Sequence, residues 1–247
     1  GDTLWVGTDA GLIRLDKRGA KLFGEADGMP HRVVNQLAWD EQRAELWAAT
    51  MGGLARYSAG RIDSFTQLSS GLANDVVYAV IARDGDIWAP TASGTSRFNP
   101  DQDTWEIYDH TNARMNEPWC YTAAFMGEDT IFVAVWGGGI LERELAGGEW
   151  RVHHDPDRQM EVDLLRDDGL VSDVVSAIDT DGDILWAATY FGLCRFDGLR
   201  WRTWSTKDSG ITSDFINIVR AEDGLIFLAT DQGLGLYDGN TWTTWRN

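Results

Sequence analysis

Short apolar runs recur along the whole chain at a regular spacing. Each run begins with an aliphatic residue followed by Trp or Phe, continues with small residues such as Ala and Thr, and leads into Gly. The aromatic residues of the six copies lie at positions 5, 47, 88, 132, 186 and 227, which gives steps of 42, 41, 44, 54 and 41 residues. A strand-rich repeat of about 40–45 residues is typical of a β-propeller, in which each copy forms one blade.

The third copy shows which strands one repeat predicts. The run 75–82 is almost entirely apolar and rich in β-branched residues, which predicts a buried inner strand. A hairpin turn at Asp84-Gly85 connects it to a second strand at 87–90. A third strand at 95–98 follows, and the alternating segment 104–108 predicts a half-exposed outer strand. Each repeat therefore predicts one four-stranded antiparallel blade.

Counting the predicted strands shows an asymmetry at the first copy, which begins at its second strand. There are six second, third and outer strands but only five inner strands. The inner strands are predicted at 33–39, 75–82, 119–126, 173–179 and 214–220. We therefore predict an all-β, six-bladed β-propeller of four-stranded antiparallel blades, forming one domain over residues 1–247, whose first blade lacks its inner strand in this chain. Either that blade has three strands, or its inner strand belongs to a segment before Gly1.

The fifth copy carries a resemblance to a known family. Residues 181–198 read Asp-Gly-Asp-Ile-Leu-Trp-Ala-Ala-Thr-Tyr-Phe-Gly-Leu-Cys-Arg-Phe-Asp-Gly. This resembles the two-component regulator propeller repeat, whose pattern runs Asp-x-x-Gly-x-Leu-Trp-x-Gly-Thr-x-x-Gly-Leu-x-Arg-Phe/Tyr-Asp, and the resemblance covers essentially the whole chain. It implies a sensor-type propeller that binds a ligand or partner outside the cytoplasm, in the periplasm, at the cell surface or secreted.

Charge and composition narrow the range of partners. The chain has 21 Lys and Arg against 39 Asp and Glu, a formal net charge of -18. Such a surface repels nucleic-acid phosphates, so we predict no nucleic-acid partner. Since no run approaches the ~20 apolar residues of a membrane span, we predict no span in this chain. The two cysteines, Cys120 and Cys194, are either buried free thiols or a disulfide.

Positions that break the repeat are the best candidates for binding, because the repeated strand aromatics are expected to pack between adjacent blades. In a propeller, the loops before the inner strands and the turns between second and third strands open on one face. The candidate ligand-binding residues there are Trp119, Trp136, Tyr190, Phe191, His31, Arg32, Asn74, Asp231 and Gln232. Aromatic faces beside hydrogen-bonding groups suit a saccharide, a peptide or an organic cation. The alternative is that these residues only fill the channel or an interface.

Few features of the sequence favour catalysis. The histidines are scattered, and neither a Gly-x-Ser-x-Gly elbow nor a phosphate-binding loop occurs. The acidic run 179–183 lacks the later residues of a calcium loop, and His153-His154-Asp155 is a weak candidate for a metal site. We predict no catalytic residue, metal or cofactor, and a non-catalytic protein that binds a small molecule or a partner protein. The alternatives are a scaffold or adhesion subunit of a larger extracellular assembly, and a metal-dependent lactonase- or lyase-like enzyme.

Overall fold

The computed structural model describes residues 3–156 and 169–246. These residues belong to two compact units, Gly1–Asp109 and His110–Asn247, and each unit contains three antiparallel β-sheets. The protein is therefore all-β, with six sheets in the part of the chain that the structure describes, and this arrangement is consistent with a propeller.

The first unit contains eleven strands among its described residues. They are β1 (Leu4–Gly7), β2 (Leu12–Asp16), β3 (Gly19–Phe23), β4 (Val34–Asp40), β5 (Glu45–Thr50), β6 (Gly53–Ser58), β7 (Arg61–Phe65), β8 (Ile81–Arg83), β9 (Asp86–Thr91), β10 (Gly94–Asn99) and β11 (Thr104–Tyr108). A 3-10 turn at Glu25–Asp27 and a one-turn helix α1 at Gln67–Ser70 lie in the connections between sheets. Strands β1–β3 form a three-stranded sheet, and the next two sets of four strands form the other two sheets.

Among its described residues, the second unit contains twelve strands in three four-stranded sheets. They are β12 (Cys120–Met126), β13 (Thr130–Val135), β14 (Gly139–Glu144), β15 (Arg151–His153), β16 (Val175–Asp181), β17 (Ile184–Thr189), β18 (Leu193–Phe196), β19 (Trp201–Trp204), β20 (Ile216–Glu222), β21 (Leu225–Thr230), β22 (Gly233–Tyr237) and β23 (Trp242–Arg246). Sheet order follows chain order throughout the described residues. The predicted strand sequence within each repeat is confirmed, including the three-stranded first sheet.

The third inner strand is shorter than the sequence predicts. The prediction was 75–82, whereas β8 spans only Ile81–Arg83. The preceding part of the segment faces Pro90 of β9, whose carbonyl accepts the backbone N–H of Tyr78 at 3.0 Å. Because Pro90 has no N–H to donate in return, the regular ladder is interrupted there.

The repeated strand aromatics are the centre of the packing in most sheets. Trp47 is fully buried and contacts Phe98 and Trp105 of the adjacent sheet in the first unit, with ring centroids 5.1 and 6.0 Å away. Trp88, Phe132 and Trp186 are also buried. The expected packing role is confirmed for these positions. It is wrong for Phe227, the sixth copy, whose side chain is 45% exposed.

A recurring Thr-x-x-Gly turn joins the second and third strands. The Thr50 hydroxyl donates to the Gly53 carbonyl at 2.6 Å and accepts the Gly52 N–H at 3.2 Å. The threonines that make the same donor bond are Thr8, Thr91, Thr189 and Thr230. Gly53 has φ 134°, and a Cβ there would lie 2.6 Å from the Phe65 carbonyl oxygen, so the turn requires glycine.

The fourth sheet builds this turn differently. Val135 replaces the threonine, so the hydroxyl bonds are lost, and the Gly138 N–H bonds to the Val135 carbonyl at 3.0 Å instead. The flanking Gly137 and Gly139 both have positive φ. Immediately after Trp136, three glycines with backbone conformations open to glycine therefore take the place of the threonine hydroxyl bonds that close this turn in the other sheets.

Candidate functional site

Four aromatic side chains form a continuous row across the three sheets of the second unit. We call Tyr121, Trp136, Tyr190 and Phe215 the aromatic row. The ring centroids of Tyr121 and Trp136 are 4.9 Å apart, and those of Trp136 and Tyr190 are 4.8 Å apart in an edge-to-face contact. Tyr190 stacks on Phe215 at 3.6 Å. All four are half-buried, so the row is supported by packing and still reaches solvent.

Irregular backbone places each member of the aromatic row. Tyr121 is the unpaired residue where the β12–β13 register shifts between Cys120 and Thr122, a bulge that re-aims a side chain. Trp136 and Tyr190 follow the ends of β13 and β17 in equivalent turns.

Phe215 completes the row from the residue directly before β20. Backbone bonds fix these turns, since the Trp136 N–H donates to the Trp119 carbonyl at 2.9 Å and the Tyr190 N–H donates to the Val174 carbonyl at 3.3 Å. The row is therefore held by strand ends and turns whose backbone groups are already bonded.

A cleft of about 640 Å³ opens beside one end of the row. Its lining residues are Tyr190, Phe191, Thr206, Ser209, Gly210, Ile211, Thr212, Ser213, Asp214, Phe215, Gln232 and Arg246. Several polar groups in the lining are bonded within the protein: Asp214 accepts the Thr206 N–H at 2.6 Å, and the Thr212 and Thr230 hydroxyls bond at 2.8 Å. The exposed side chains of Gln232 and Arg246 add an amide and a guanidinium to the aromatic wall.

The electrostatics of the row favour neutral hydrogen bonding over proton transfer. Burial raises the pKa of the Tyr190 phenol, and the nearby Tyr121 phenol adds to the shift because a second phenolate would be repelled. Tyr190 therefore stays protonated at neutral pH and can both donate and accept a hydrogen bond. An aromatic wall with neutral hydroxyl and amide groups can stack on a flat or ring-shaped molecule and orient it.

Six of the nine predicted ligand-binding residues lie in the second unit, and the structure brings most of them to this area. Trp136 and Tyr190 belong to the aromatic row, while Tyr190, Phe191 and Gln232 line the cleft. The Asp231 N–H donates to the Phe215 carbonyl at 3.3 Å, which places Asp231 next to the row. The Trp119 side chain is 44% exposed, and its contact with the row is the backbone bond to Trp136.

Of the three predicted ligand-binding residues in the first unit, two bond the backbone of their own turns. His31 Nδ1 accepts the Val33 N–H at 3.0 Å, and Asn74 Oδ1 accepts the Val76 N–H at 2.8 Å. Both bonds close a tight turn before an inner strand. The exposed Arg32 lies beside the first of these turns.

The same hydrogen bond closes the equivalent turns in the second unit, so it is a general feature of the repeat. Ser172 and Ser213 hydroxyls accept the N–H of Val174 and Phe215 at 3.1 Å. All four capping residues, His31 and Asn74 included, lie three positions after a glycine. His31 and Asn74 therefore serve the turns in the first place, and their proposed ligand contacts remain a prediction.

Sequence reasoning missed Tyr121, Phe215 and Arg246. A signal existed for Phe215, because the residue before the inner strand is Val33 and Val174 in two other repeats. For Tyr121 the signal was hidden, since its exposure depends on the bulge. Nothing in the repeat pattern marks Arg246, which lies at the end of β23 and lines the cleft.

Within the candidate metal site His153-His154-Asp155, the His153 side chain has a structural role. His153 Nε2 lies 2.7 Å from Glu142 Oε2, and the Trp201 indole N–H donates to His153 Nδ1 at 3.3 Å. Because Nδ1 accepts, Nε2 carries the proton that bonds Glu142. Within residues 3–156 and 169–246, no group of three or more His, Cys, Asp or Glu side chains is placed to hold a metal ion.

The acidic run 179–183 and the cysteines also have structural roles. Asp179 accepts the Ala221 N–H at 3.0 Å, and Asp181 accepts the Gly224 N–H at 2.7 Å, so both carboxylates tie β16 to the next sheet. Cys120 and Cys194 are buried free thiols. Burial raises the pKa of both, that of Cys194 to about 12, so neither is a ready nucleophile.

The fold is similar to that of several solved structures. The extracellular domain of a putative hybrid two-component system from B. thetaiotaomicron matches 100% of this chain and 33% of its own length, with a TM-score of 0.76 and 15% identity. A second such domain from the same organism matches 95% of this chain and 31% of its own length, with a TM-score of 0.70 and 18% identity. Virginiamycin B lyase from Staphylococcus aureus matches 99% of this chain and 80% of its own, with a TM-score of 0.72 and 12% identity.

At these identities the likeness shows the fold alone. The chain spans about a third of the length of the two extracellular domains. No protein-family model matches the chain, and no curated protein matches it by sequence. In the parts of the chain that the structure describes, no helix is long and apolar enough to cross a membrane. The chain is thus an all-β protein whose structural neighbours are propeller-like and include extracellular domains of putative two-component systems.

Proposed function

We propose that the protein is a non-catalytic, sensor-like recognition protein of the propeller class, acting outside the cytoplasm. It binds a small molecule through the aromatic row and the adjoining cleft. The observation that carries the proposal is the ring-to-ring contact of Trp136, Tyr190 and Phe215 at the edge of an open cleft. The likeness to extracellular sensor domains supports the class of function, and the repeats support a single six-bladed domain over 1–247.

Three ligand classes suit the aromatic row. A saccharide ring can stack on Trp136 or Tyr190 while the Gln232 amide bonds its hydroxyls. A peptide can use the same wall together with Arg246, and an organic cation can bind over an aromatic face in a strongly acidic protein. The acidic surface argues against nucleic acid, as the composition predicts.

Titration of the purified chain with three panels tests the proposal: neutral oligosaccharides, short peptides and quaternary amines. Calorimetry should detect saturable binding of one class. Tyr190→Ala and Trp136→Ala should each weaken it about tenfold or more, since the loss of ~1.4 kcal/mol of stacking and buried area corresponds to a factor of ten. Met51→Ala is the matched control, because Met51 occupies the equivalent turn position in the second repeat and is 40% exposed.

Three results would contradict the proposal. Binding that is unchanged in both aromatic variants would place the ligand elsewhere. No binding of any class, together with stable co-purification of another protein, would favour the scaffold or adhesion role. Turnover of a bound compound that depends on an added divalent ion would favour a lyase-like enzyme.

A further inference from the structure

A second indole lies beside the aromatic row at Trp136. Trp119 precedes β12 and Trp136 follows β13, and the Trp136 N–H donates to the Trp119 carbonyl at 2.9 Å. Because β12 and β13 are antiparallel, the two tryptophans lie opposite each other, with Cβ atoms about 5 Å apart. The Trp119 side chain is 44% exposed, and its ring contacts no other aromatic ring among the described residues. Its ring is therefore open to a ligand that reaches Trp136.

The rings that contact Trp136 form a corner. The planes of Trp136 and Tyr190 are at 87° with ring centroids 4.8 Å apart, and the Tyr121 ring is tilted by 34° against Trp136. Two rings at right angles leave a corner in which one small group can contact both aromatic faces. Since each face is the negative part of the ring quadrupole, such a corner attracts a cation.

A carboxylate lies next to the same corner. A Cβ added to Gly137, the residue after Trp136, would lie 3.8 Å from Glu117 Cγ, so the Glu117 side chain lies against the turn that carries Trp136. Glu117 is half-buried and forms no ion pair or side-chain hydrogen bond with another described residue. Its negative charge is thus available to a ligand. We call the following residues the acidic corner: Glu117, Trp119, Tyr121, Trp136 and Tyr190.

The charges on the surrounding segments favour a cation at this place. Segments 111–139, 169–192 and 209–232 carry the aromatic row, and they contain eleven Asp and Glu residues, no lysine and two arginines. The two arginines, Arg114 and Arg220, are each paired with a carboxylate, at 2.8 and 3.5 Å. An anionic ligand would therefore be repelled, whereas a cation would be attracted.

We propose that the acidic corner binds a quaternary ammonium group, held against the aromatic faces with the Glu117 carboxylate beside it. The inference rests on the proposed function and selects one of its three ligand classes. A trimethylammonium group has no N–H, so it loses no hydrogen bonds when aromatic rings replace its water, whereas a primary ammonium has three donors to satisfy. Arg246 lines the cleft on the Phe215 side of Tyr190, so the cation binds on the Trp136 side.

Calorimetry on the full chain with choline and with 3,3-dimethylbutan-1-ol tests the role of charge, because the second compound is the same shape with carbon in place of the nitrogen. Choline should bind about tenfold more tightly than this neutral analogue. Glu117→Gln should remove most of the preference. Glu144→Gln is the matched control and should leave it unchanged, since Glu144 is an exposed carboxylate at the end of β14 that lies away from the triple glycine.

Two substitutions of Trp119 separate the aromatic face from apolar contact. Trp119→Leu should weaken choline binding about fivefold, whereas Trp119→Phe, which keeps a π face, should change it by about twofold or less. Because the Trp119 side chain is 44% exposed, both variants should fold, and thermal melting followed by circular dichroism checks this.

A peptide that carries trimethyl-lysine, measured beside the unmodified lysine peptide, identifies the source of the group. Tighter binding of the trimethyl-lysine peptide than of choline supports a protein side chain, and the reverse order supports a free small molecule. Equal affinity for choline and its neutral analogue overturns the proposal, as does a preference that both Glu117→Gln and Trp119→Leu leave intact.

The proposal and the proposed function can fail separately. If a neutral oligosaccharide binds and Tyr190→Ala weakens it, while neither quaternary ammonium compound binds, the acidic corner is not a cation site and the recognition function stands. If no oligosaccharide, peptide or ammonium compound binds, both are overturned.

Discussion

Trp186 and Tyr190 lie four residues apart in the same repeat and have opposite surroundings. Trp186, in β17, is 5% exposed and packs on Trp204 with ring centroids 5.4 Å apart. Tyr190, in the following turn, is half-exposed and joins the aromatic row. Trp186 has an aromatic counterpart in all six repeats, whereas the counterparts of Tyr190 include Met51 and Asp231. In most sheets the positions that repeat serve packing, with Phe227 as the exception, and positions that vary are available for recognition.

Truncating both side chains tests directly whether Trp186 and Tyr190 differ in their contribution to stability. Trp186→Ala should lower the free energy of unfolding by about 3–5 kcal/mol, because it leaves a large cavity among Trp204, Ile216 and Leu228. Tyr190→Ala should cost about 1 kcal/mol or less, since the ring already reaches solvent. Urea unfolding followed by circular dichroism measures both changes.

Ligand binding should show the reverse order. Tyr190→Ala should weaken binding of the ligand class identified by calorimetry, and Trp186→Ala should leave its dissociation constant unchanged at temperatures where the variant is folded. Comparable destabilisation by the two substitutions would show that the aromatic row is packing and not a binding surface.

The repeat predicted the sheets well because packing imposes the period on the sequence. The alternation of apolar residues, the Asp-Gly turns and the Thr-x-x-Gly turns each have a local physical cause, so strand order could be derived without coordinates. The shortened β8 is a departure, caused by the missing N–H of Pro90. The same local logic, applied more strictly, would have marked His31 and Asn74 as turn caps, because serines perform that role three residues after Gly169 and Gly210.

The candidate site was only partly predictable, because it depends on contacts between repeats. Trp136 and Tyr190 stand out as aromatic residues at variable positions. Their neighbour Tyr121 becomes part of the row only through the β12 bulge, and Phe215 reaches Tyr190 from the next sheet. Neither contact can be derived from the residues of one repeat.

Phe227 gives a second, smaller test, since it occupies the same repeat position as Trp186 on the following sheet. Its side chain is 45% exposed. In the same sheet, the side chains of Leu234 and Trp245 are exposed to a similar extent, 55% and 53%. Because about half of the ring is already in water, Phe227→Ala should lower the free energy of unfolding by about 1–2 kcal/mol. Urea unfolding of this variant beside Trp186→Ala measures the difference.

A loss as large as that of Trp186→Ala would mean that this face of β20–β23 is covered in solution. The loss of stability on truncating a repeated aromatic residue would then depend on its position in the repeat and not on its exposure. A matched variant at an exposed turn, Leu199→Ala, should have almost no effect, since its side chain is 89% exposed outside the strands.

The smallest expected effect concerns Glu142 and His153, a polar pair inside the packing layer of the fourth sheet. The hydrogen bond from His153 lowers the pKa of Glu142 from its ordinary value of 4.5, with a further contribution from the charge of Arg151. A carboxylate whose pKa is lowered on folding contributes stability that is present above its unfolded pKa and lost as the pH falls through the folded value. Glu142→Gln should therefore lower the free energy of unfolding by about 1 kcal/mol at pH 7, because the pair is partly solvated.

This difference between Glu142→Gln and the unmodified protein should shrink as the pH falls from about 4.5 through the lowered pKa of the native carboxylate, because the carboxylate becomes protonated there. Urea unfolding at pH 7, 5, 4 and 3 measures it. A difference that stays constant across this range would mean that Glu142 acts through shape and neutral hydrogen bonding. In that case the polar pair would be equivalent to the apolar contacts around it, and His153 would belong to the packing layer as an aromatic ring, beside Phe196 and Trp201 at 5.0 and 5.4 Å.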